Sequence, residues 1–173
     1  GTVHTVAELV DTAEDEVGQK GTVGIGIPGA ESTLGDSIKN ANSTCLIGQP
    51  LRRDLQALLQ REVRLANDAN CFALSEAADG AAAGASVVFG VILGTGVGGG
   101  LVVAGHGLVG PNGIAGEWGH NPLPMAESFA SDAPLCYCGR RGCVETWLSG
   151  PGLVADHQRL GGEALTPQQI DHR

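Results

Sequence analysis

The order of patterns in the sequence predicts an α/β protein with two lobes. Over the first part of the chain, stretches with helical spacing of apolar residues alternate with short apolar runs, and from residue 87 onward glycine turns separate further apolar runs. A chain of 173 residues with 42% hydrophobic residues can bury a core in one domain or in two small lobes. We place the boundary in the Ala- and Gly-rich residues 78–86, with residues 1–80 in the first lobe and residues 81–173 in the second.

The first lobe is predicted to contain three helices and two strands. In the stretch 5–18, apolar residues have helical spacing, Thr5 and Glu8 have the spacing of a capping box, and Gly18 ends the helix. The other elements of this lobe follow in order: a buried strand at 23–27, an amphipathic helix at 51–63, a short strand at 63–68 and a helix at 69–85.

The second lobe begins with a predicted β-meander at residues 87–110, where two apolar runs and a shorter third run are separated by glycine turns. Loops follow, and then helices at 143–150 and 151–160. A last helix is predicted to have Thr166 as its N-cap and Pro167 as its first helical residue.

Charge and composition exclude several classes of partner. The net charge of −9 argues against nucleic acid or an anionic membrane, because binding phosphate groups requires a positive field. No stretch approaches ~18 consecutive apolar residues, so no transmembrane helix is predicted. No stretch has the pattern of a secretion signal either. We therefore expect a cytoplasmic protein, in which clustered cysteines favour a metal over a disulfide.

The glycine-rich stretch LGTGVGGG, residues 93–100, is a candidate for binding an anion. Glycines at a hairpin turn leave backbone N–H groups free to converge on a phosphate, and Thr95 adds a hydroxyl group. No Lys follows, as a Walker-A loop requires, and no helix follows, as a dinucleotide-binding fingerprint requires. The stretch therefore predicts either a phosphate-contacting turn or only a tight turn between two strands.

Asp68 lies where a predicted strand gives way to a predicted helix. It could be the N-cap, whose side-chain oxygen accepts a backbone N–H of the first turn. It could also be a general base, because an ionised aspartate can take the proton of a substrate hydroxyl as that oxygen attacks phosphorus. The sequence pattern alone leaves both roles open.

Cysteines are concentrated in residues 134–147, which contain Cys136, Cys138 and Cys143. Three thiolates need a fourth ligand to form a tetrahedral zinc site, and His120 lies just upstream in a loop that also contains Glu117. The alternatives are three reduced thiols or one disulfide, but exposed thiolates this close together would be prone to oxidation. The other two cysteines, Cys45 and Cys71, are expected to be small buried hydrophobic residues.

Two longer segments, VILGTGVGGGLVVAGHGLVGPNGIAGEWGH (residues 91–120) and CYCGRRGCVE (residues 136–145), resemble the repressor/ORF/kinase (ROK) family of bacterial sugar kinases and sugar-responsive regulators. The resemblance runs from around Gly21 to Gly152. It implies the actin/hexokinase-like ATPase fold, with two RNase H-like lobes around a cleft and a small zinc-binding insertion. It also implies ATP-dependent phosphorylation of a hexose, with Mg²⁺ bound to the ATP.

The resemblance implies roles for individual residues, since Asp68 matches the catalytic base of the family. The sugar-contacting positions match Asn67, Asp68, Glu117, His120 and Glu145. The phosphate-contacting turn matches Gly94, Thr95 and Gly96. The ligands of a structural zinc ion match His120, Cys136, Cys138 and Cys143. His120 could bind zinc through one ring nitrogen and offer the other to a sugar hydroxyl.

Within the family the sequence looks most like the bacterial fructokinases, also described as manno(fructo)kinases, in QREVRLANDANC, DGAAAGA and GEWGHNPLP. This closer match implies transfer of the γ-phosphate of ATP to the 6-hydroxyl of fructose. The alternatives are a kinase for N-acetylglucosamine, mannose or glucose, a sugar-sensing transcriptional regulator, or a zinc-stabilised binding module without catalysis.

The sequence departs from the family at both ends. It lacks the Asp-x-Gly-Gly-Thr phosphate loop found near the family's N-terminus and the glycine-rich adenosine-binding segment near its C-terminus. We therefore expect the chain to be a piece of a longer protein and to be inactive alone. We also expect the full-length protein to be a homodimer.

Overall fold

A computed structural model describes residues 1–32, 35–41, 43–124 and 132–171. The protein is mixed α/β, as predicted, with a two-stranded parallel sheet, a two-stranded antiparallel sheet and a three-stranded antiparallel sheet. Within the residues that the structure describes, no helix has the length and apolar character needed to cross a membrane. In chain order the elements are α1 (Thr2–Val17), β1 (Val23–Ile27), β2 (Ala30–Glu31), β3 (Ile38–Lys39), a 3-10 helix (Thr44–Leu46), α2 (Leu51–Leu59), β4 (Val63–Asn67), α3 (Asp68–Ala78), β5 (Val87–Leu93), β6 (Val97–Val103), β7 (His106–Gly107), α4 (Glu145–Leu148), α5 (Gly150–Arg159) and α6 (Pro167–Asp171).

The helix α1 ends where the sequence predicts but begins earlier. Gly18 ends it in the left-handed conformation, with φ of 69°, and donates its N–H to the carbonyl of Glu14. The predicted capping box is wrong, because the N–H of Thr5 already bonds the carbonyl of Gly1 at 3.2 Å inside the helix. The helix has no buried residue. An ion pair between Glu14 and Arg61, with N and O 2.6 Å apart, attaches it to the segment between α2 and β4.

The parallel strands β1 and β4 determine where the first predicted site residues lie. They pair in register from Val23 opposite Val63 to Ile27 opposite Asn67. The next residue, Asp68, therefore follows the carboxyl end of a parallel pair, which is the edge of α/β sheets where ligands bind. Buried apolar residues from these strands, from β3 and from α2 form the adjoining core: Val23, Ile27, Ile38, Ala41, Leu51, Leu55 and Val63.

The helix α3 is shorter than predicted, ending at Ala78 instead of continuing to residue 85. The carboxylate of Glu76 accepts the N–H of Ala81 at 2.8 Å and closes a turn there. Glycine also disfavours continuation of the helix, and Gly80 follows two residues after its end.

The predicted β-meander is confirmed as β5, β6 and β7, which pair in antiparallel order. The helix α3 lies directly on the glycines of this sheet. A Cβ atom at Gly100 would lie 2.6 Å from the carbonyl oxygen of Ala69 and 2.8 Å from Cβ of Ala73, and one at Gly90 would lie 2.9 Å from the same Cβ. Residues before the boundary proposed at 78–86 therefore pack on the three-stranded sheet of β5, β6 and β7. The division into two lobes stays a prediction.

A loop that follows β7 lies close to the backbone of β6. A Cβ atom at Gly116, whose φ is 91°, would lie 2.6 Å from the carbonyl oxygen of Gly99. The indole of Trp118 donates to the carbonyl of Gly98 at 2.7 Å and packs edge-on against Phe89, with centroids 5.9 Å apart. This loop carries the predicted Glu–His pair, so β6 fixes its position.

The three helices predicted after the cysteine motif are present, although α4 has only four residues. Ser149 has an extended backbone, which separates α4 from α5, and its hydroxyl caps α5 by accepting the N–H of Gly152 at 3.1 Å. Thr166 caps α6 as predicted, accepting the N–H of Gln169 at 3.4 Å while its own N–H donates to that side chain at 2.9 Å. The segment 125–131, predicted as loop, lies outside the described residues.

We predict that Gly100→Ala destabilises the full-length protein by about 1–3 kcal/mol, because the added methyl group would overlap the backbone of α3. Gly98→Ala is the matched control in the same strand, since a Cβ atom there meets nothing within 4 Å. Urea unfolding followed by circular dichroism measures both free energies. Equal stability of the two variants would mean that α3 does not pack this closely on β6.

Candidate functional site

The start of α3 presents two predicted sugar-site residues. Asn67 is the N-cap, because its Oδ1 accepts the N–H of Asn70 at 3.2 Å while its Nδ2 donates to the carbonyl of Gly29 at 3.0 Å. Asp68 is the first residue of the helix, and its Oδ1 accepts the N–H of Ala69 at 2.9 Å. The capping role left open for Asp68 therefore belongs to Asn67, and the exposed Asp68 carboxylate stays accessible to a substrate.

The predicted phosphate turn joins β5 to β6 and contacts a distant carboxylate. The N–H of Gly94 donates to the carbonyl of Gly96 at 2.9 Å, and Thr95 is exposed between them. The N–H of Val97, directly after the turn, donates to Oε2 of Glu145 at 3.0 Å. A Cβ atom at Gly96 would lie 2.8 Å from that oxygen, so glycine leaves room for the carboxylate. Glu145 therefore helps to position the turn.

The four predicted zinc ligands lie together. Nδ1 of His120 lies 3.4 Å from Sγ of Cys136, and Sγ of Cys138 lies 3.6 Å from Sγ of Cys143. All four ligand atoms lie within 4.8 Å of one another. A tetrahedral zinc ion with Zn–S bonds of about 2.3 Å and Zn–N bonds of about 2.0 Å requires ligand separations of roughly 3.5–3.8 Å. The donor set and its spacing therefore fit zinc bound through Nδ1 of His120.

Backbone hydrogen bonds shape the segment that carries the thiols, residues 134–143, here called the cysteine knuckle. The N–H of Cys136 donates to the carbonyl of Arg140 at 2.7 Å, and the N–H of Gly139 donates to the carbonyl of Cys136 at 2.9 Å. Gly139 has φ of 86°, a conformation that favours glycine. An antiparallel bridge between Pro122 and Cys143 places the histidine loop beside the knuckle.

The five cysteines lie in different environments. A backbone hydrogen bond from Arg140 lowers the pKa of Cys138 to about 6, so this exposed thiol is ionised at neutral pH, as metal binding requires. Burial raises the pKa of Cys143 to about 11. Outside the cluster, the expectation of buried cysteines was wrong for Cys45, which lies exposed on the 3-10 helix, and Cys71 is half-buried.

Three predicted carboxylates and the predicted histidine lie near one another. Partial burial raises the pKa of Glu117, the charge of His120 opposes this shift, and the charges of Asp68 and Glu145 add to it. Asp68, His120 and Glu145 are therefore each within electrostatic reach of Glu117. The N–H of Glu145 also donates to the carbonyl of Gly119 at 2.8 Å, next to the histidine. These four predicted sugar contacts thus lie in one region of the structure, while their individual roles stay predictions.

Tyr137 is a site residue that the sequence patterns did not identify. Its hydroxyl lies 2.9 Å from Nε2 of His120, and its ring packs edge-on against the imidazole with centroids 5.0 Å apart. Loss of water around the hydroxyl raises the pKa of Tyr137, and the charge of Glu145 raises it further. The one signal in the sequence is the position of this tyrosine between two predicted ligands, Cys136 and Cys138.

A cavity of about 580 Å³ lies next to this site but has a different lining. Apolar side chains from β1, β4 and α3 line much of it, including Ile27, Leu65 and Leu74. Among the residues that the structure describes, Asn67 is the one predicted sugar contact that lines it. The predicted sugar site and this cavity therefore share Asn67.

Comparison with known proteins identifies sugar kinases as relatives. The whole chain, residues 1–173, matches the sequence profile of the ROK family. The N-acetyl-D-glucosamine kinase of Pectobacterium carotovorum subsp. carotovorum is 48% identical over 165 residues, which cover 93% of this chain and 54% of that protein. The corresponding kinase of Salmonella typhimurium is 47% identical over 97% of this chain and 57% of its own length. The chain thus spans about half the length of the curated relatives it matches.

Solved structures agree with the predicted fold. The ROK hexokinase of Thermus thermophilus superposes with a TM-score of 0.79 at 34% identity, over 95% of this chain and 53% of that one. A ROK family transcriptional regulator, a homolog of the E. coli MLC protein, superposes with a TM-score of 0.72 over 94% of this chain and 41% of that one. At 22% identity it shows the fold alone. The predicted actin/hexokinase-like ATPase fold is confirmed.

These relatives correct one expectation and confirm another. They are named N-acetyl-D-glucosamine kinases and do not support the fructokinase-like specificity expected from the sequence. The family resemblance seen in the glycine and cysteine motifs is confirmed, because the family profile matches all of residues 1–173. The chain belongs to the ROK family.

Proposed function

We propose that the full-length protein is a cytoplasmic ATP-dependent kinase that phosphorylates the 6-hydroxyl of N-acetylglucosamine. The observation that carries this proposal is the convergence of Asp68, Glu117, His120 and Glu145 beside the turn between β5 and β6. The names of the Pectobacterium and Salmonella relatives support the choice of sugar.

The converging side chains suit recognition of a sugar. Carboxylates, an imidazole and an amide form directional hydrogen bonds with hydroxyl groups, and a site built for one hydroxyl rejects sugars that lack it. The amide nitrogen of Asn67 has two hydrogens, of which one bonds the carbonyl of Gly29 at 3.0 Å, so the second can donate to the substrate.

Asp68 is the proposed general base. It would accept the proton of the sugar hydroxyl as that oxygen attacks the γ-phosphorus of ATP, whose charge is neutralised by the accompanying Mg²⁺. Gly94, Thr95 and Gly96 would contact the phosphates through backbone N–H groups and the threonine hydroxyl. Residues outside this chain would complete the ATP site, since the chain spans about half of its relatives.

Zinc would have a structural role in this site. The ion would be held by Cys136, Cys138, Cys143 and Nδ1 of His120. It would fix the orientation of the imidazole ring and therefore the direction in which Nε2 points. The same ion would fix the start of α4 and therefore Glu145, two residues after the last thiolate.

A sugar-sensing transcriptional regulator is the second candidate function for the full-length protein. The regulator of known structure shares the fold at 22% identity, which carries no information on activity. The exposed carboxylate of Asp68 at the end of a parallel strand pair favours the kinase.

The substrate proposal predicts a ranking of sugars. The full-length protein with ATP and Mg²⁺ should give its highest kcat/KM with N-acetylglucosamine in a coupled assay that also includes fructose, glucose and mannose. A preference for fructose would restore the fructokinase expectation. Absence of turnover with every hexose would reject the kinase proposal.

Asp68→Asn should lower kcat for the preferred sugar by about 10²- to 10⁴-fold, the usual contribution of a general base, while its KM changes little. Asp79→Asn is the matched control, because Asp79 is an exposed aspartate at the opposite end of α3. Steady-state kinetics of the two full-length variants measure the difference. If Asp68→Asn kept the wild-type kcat, the protein would be a binding module or would use another base.

Cys143→Ser should remove the metal and raise the KM for the sugar, because His120 and Glu145 would lose their fixed separation. Cys45→Ser is the control, since Cys45 is a free cysteine outside the cluster. Elemental analysis should find about one zinc per wild-type chain and per Cys45→Ser chain. Zinc retained by Cys143→Ser, or absent from the wild-type protein, contradicts this site.

A further inference from the structure

The hydroxyl of Tyr137 lies beside Nε2 of His120, the ring nitrogen that is not proposed to bind the metal. Its hydroxyl is 2.9 Å from Nε2, whereas Nδ1 lies 3.4 Å from Sγ of Cys136 within the ligand cluster. When Nδ1 binds a metal, the ring proton resides on Nε2, which can then donate only one strong hydrogen bond. With a metal on Nδ1, the tyrosine hydroxyl would accept this bond from Nε2.

The carboxylate of Glu145 lies within electrostatic reach of the same hydroxyl. Its Oε2 accepts the N–H of Val97 at 3.0 Å, beside the turn. The tyrosine hydroxyl is therefore in contact with one proposed sugar contact, His120, and close to a second, Glu145.

A phenol hydroxyl and a sugar hydroxyl each carry a donor and an acceptor, so either can occupy the position beside Nε2 of His120. We propose that Tyr137 is a displaceable stand-in for a sugar hydroxyl. Its side chain closes the sugar site when no sugar is bound, and it competes with the incoming sugar. This inference rests on the proposed function, because it assumes that His120 and Glu145 contact the substrate.

The surroundings of Tyr137 allow it to move. Tyr137 is 82% exposed, and its described contacts include the edge-on imidazole and the hydrogen bond between its hydroxyl and Nε2 of His120. The backbone at this point is held separately, because the N–H of Cys136 and the N–H of Gly139 bond within the knuckle at 2.7 and 2.9 Å. Rotation of the side chain would therefore free Nε2 of His120 without disturbing the ligand cluster.

Tyr137→Phe in the full-length protein tests the competition, because it removes the hydroxyl and keeps the ring. We expect the KM and the dissociation constant for N-acetylglucosamine to fall by roughly 2- to 12-fold, the range that corresponds to one competing hydrogen bond. We expect kcat to stay within about twofold, since the chemical step does not involve the tyrosine. Isothermal titration without ATP measures the dissociation constant independently of turnover.

Leu135→Ala is the matched control, because Leu135 lies in the same knuckle with 65% exposure and its side chain has no part in the proposed site. It should leave the KM and the zinc content unchanged. A fall in KM for both variants would indicate a general loosening of the knuckle and would contradict the specific role of the hydroxyl.

A spectroscopic measurement follows the movement directly. In protein labelled with 3-fluorotyrosine, the fluorine resonance that disappears in Tyr137→Phe belongs to Tyr137. Saturating N-acetylglucosamine should shift this resonance and increase its sensitivity to solvent, because the ring leaves the imidazole. A resonance that stays unchanged while the sugar binds would overturn the inference.

The kinetic outcomes separate the two proposals. A rise in KM for Tyr137→Phe would make the tyrosine a sugar contact, and an unchanged KM would mean that it does not compete. Either result overturns the displaceable stand-in while leaving the kinase proposal intact. Failure of the wild-type protein to bind or phosphorylate any hexose would reject the proposed function and this inference together.

Discussion

The site depends on a strand whose glycines let two other segments approach its backbone. On β6, Gly100 allows the first turn of α3 to pack against the strand, and Gly99 allows the loop that contains Gly116 to do the same. The backbone contacts are close enough that a single methyl group at Gly100 would lie 2.6 Å from a carbonyl oxygen of α3. Because α3 begins with Asp68 and the loop carries Glu117 and His120, the absence of side chains at Gly99 and Gly100 determines how closely these two segments approach β6. The glycines within this strand therefore serve packing, whereas Gly94 and Gly96 belong to the turn before it.

Glu145 connects parts of the site that have different chemical tasks. Its backbone N–H bonds the loop next to His120, and its carboxylate bonds the N–H of Val97 after the glycine turn. A further bond from the N–H of Gly150 to the carbonyl of Gly94, at 2.8 Å, joins the start of α5 to the same turn. The cysteine knuckle lies directly before Glu145 in the chain, so an ion bound there would position both the sugar contacts and the turn proposed to contact phosphate.

Local patterns predicted many of the elements, because these depend on residues close in the sequence. The meander, the stop at Gly18 and the cap at Thr166 are set by neighbouring residues, and so is the spacing of the three knuckle cysteines. The patterns failed where distant segments compete for the same polar group. The capping role near Asp68 went to Asn67, whose amide also bonds the carbonyl of Gly29, a residue 38 positions away. Tyr137 could not be identified, because its contact with His120 joins residues 17 positions apart that only the folded chain brings together.

The long separations between contacting residues also determine the order in which the site can assemble. The hairpin of β5 and β6 and the bonds within the knuckle join residues close in the sequence, so they close short loops at a small cost in chain entropy. The bond from Val97 to Glu145 joins residues 48 positions apart, so closing it costs more chain entropy than closing either local unit. We therefore expect the local units to form before they dock on each other. Chain segments that emerge early from a ribosome can hold the hairpin and α3, but the polar centre forms only after the knuckle has been synthesised.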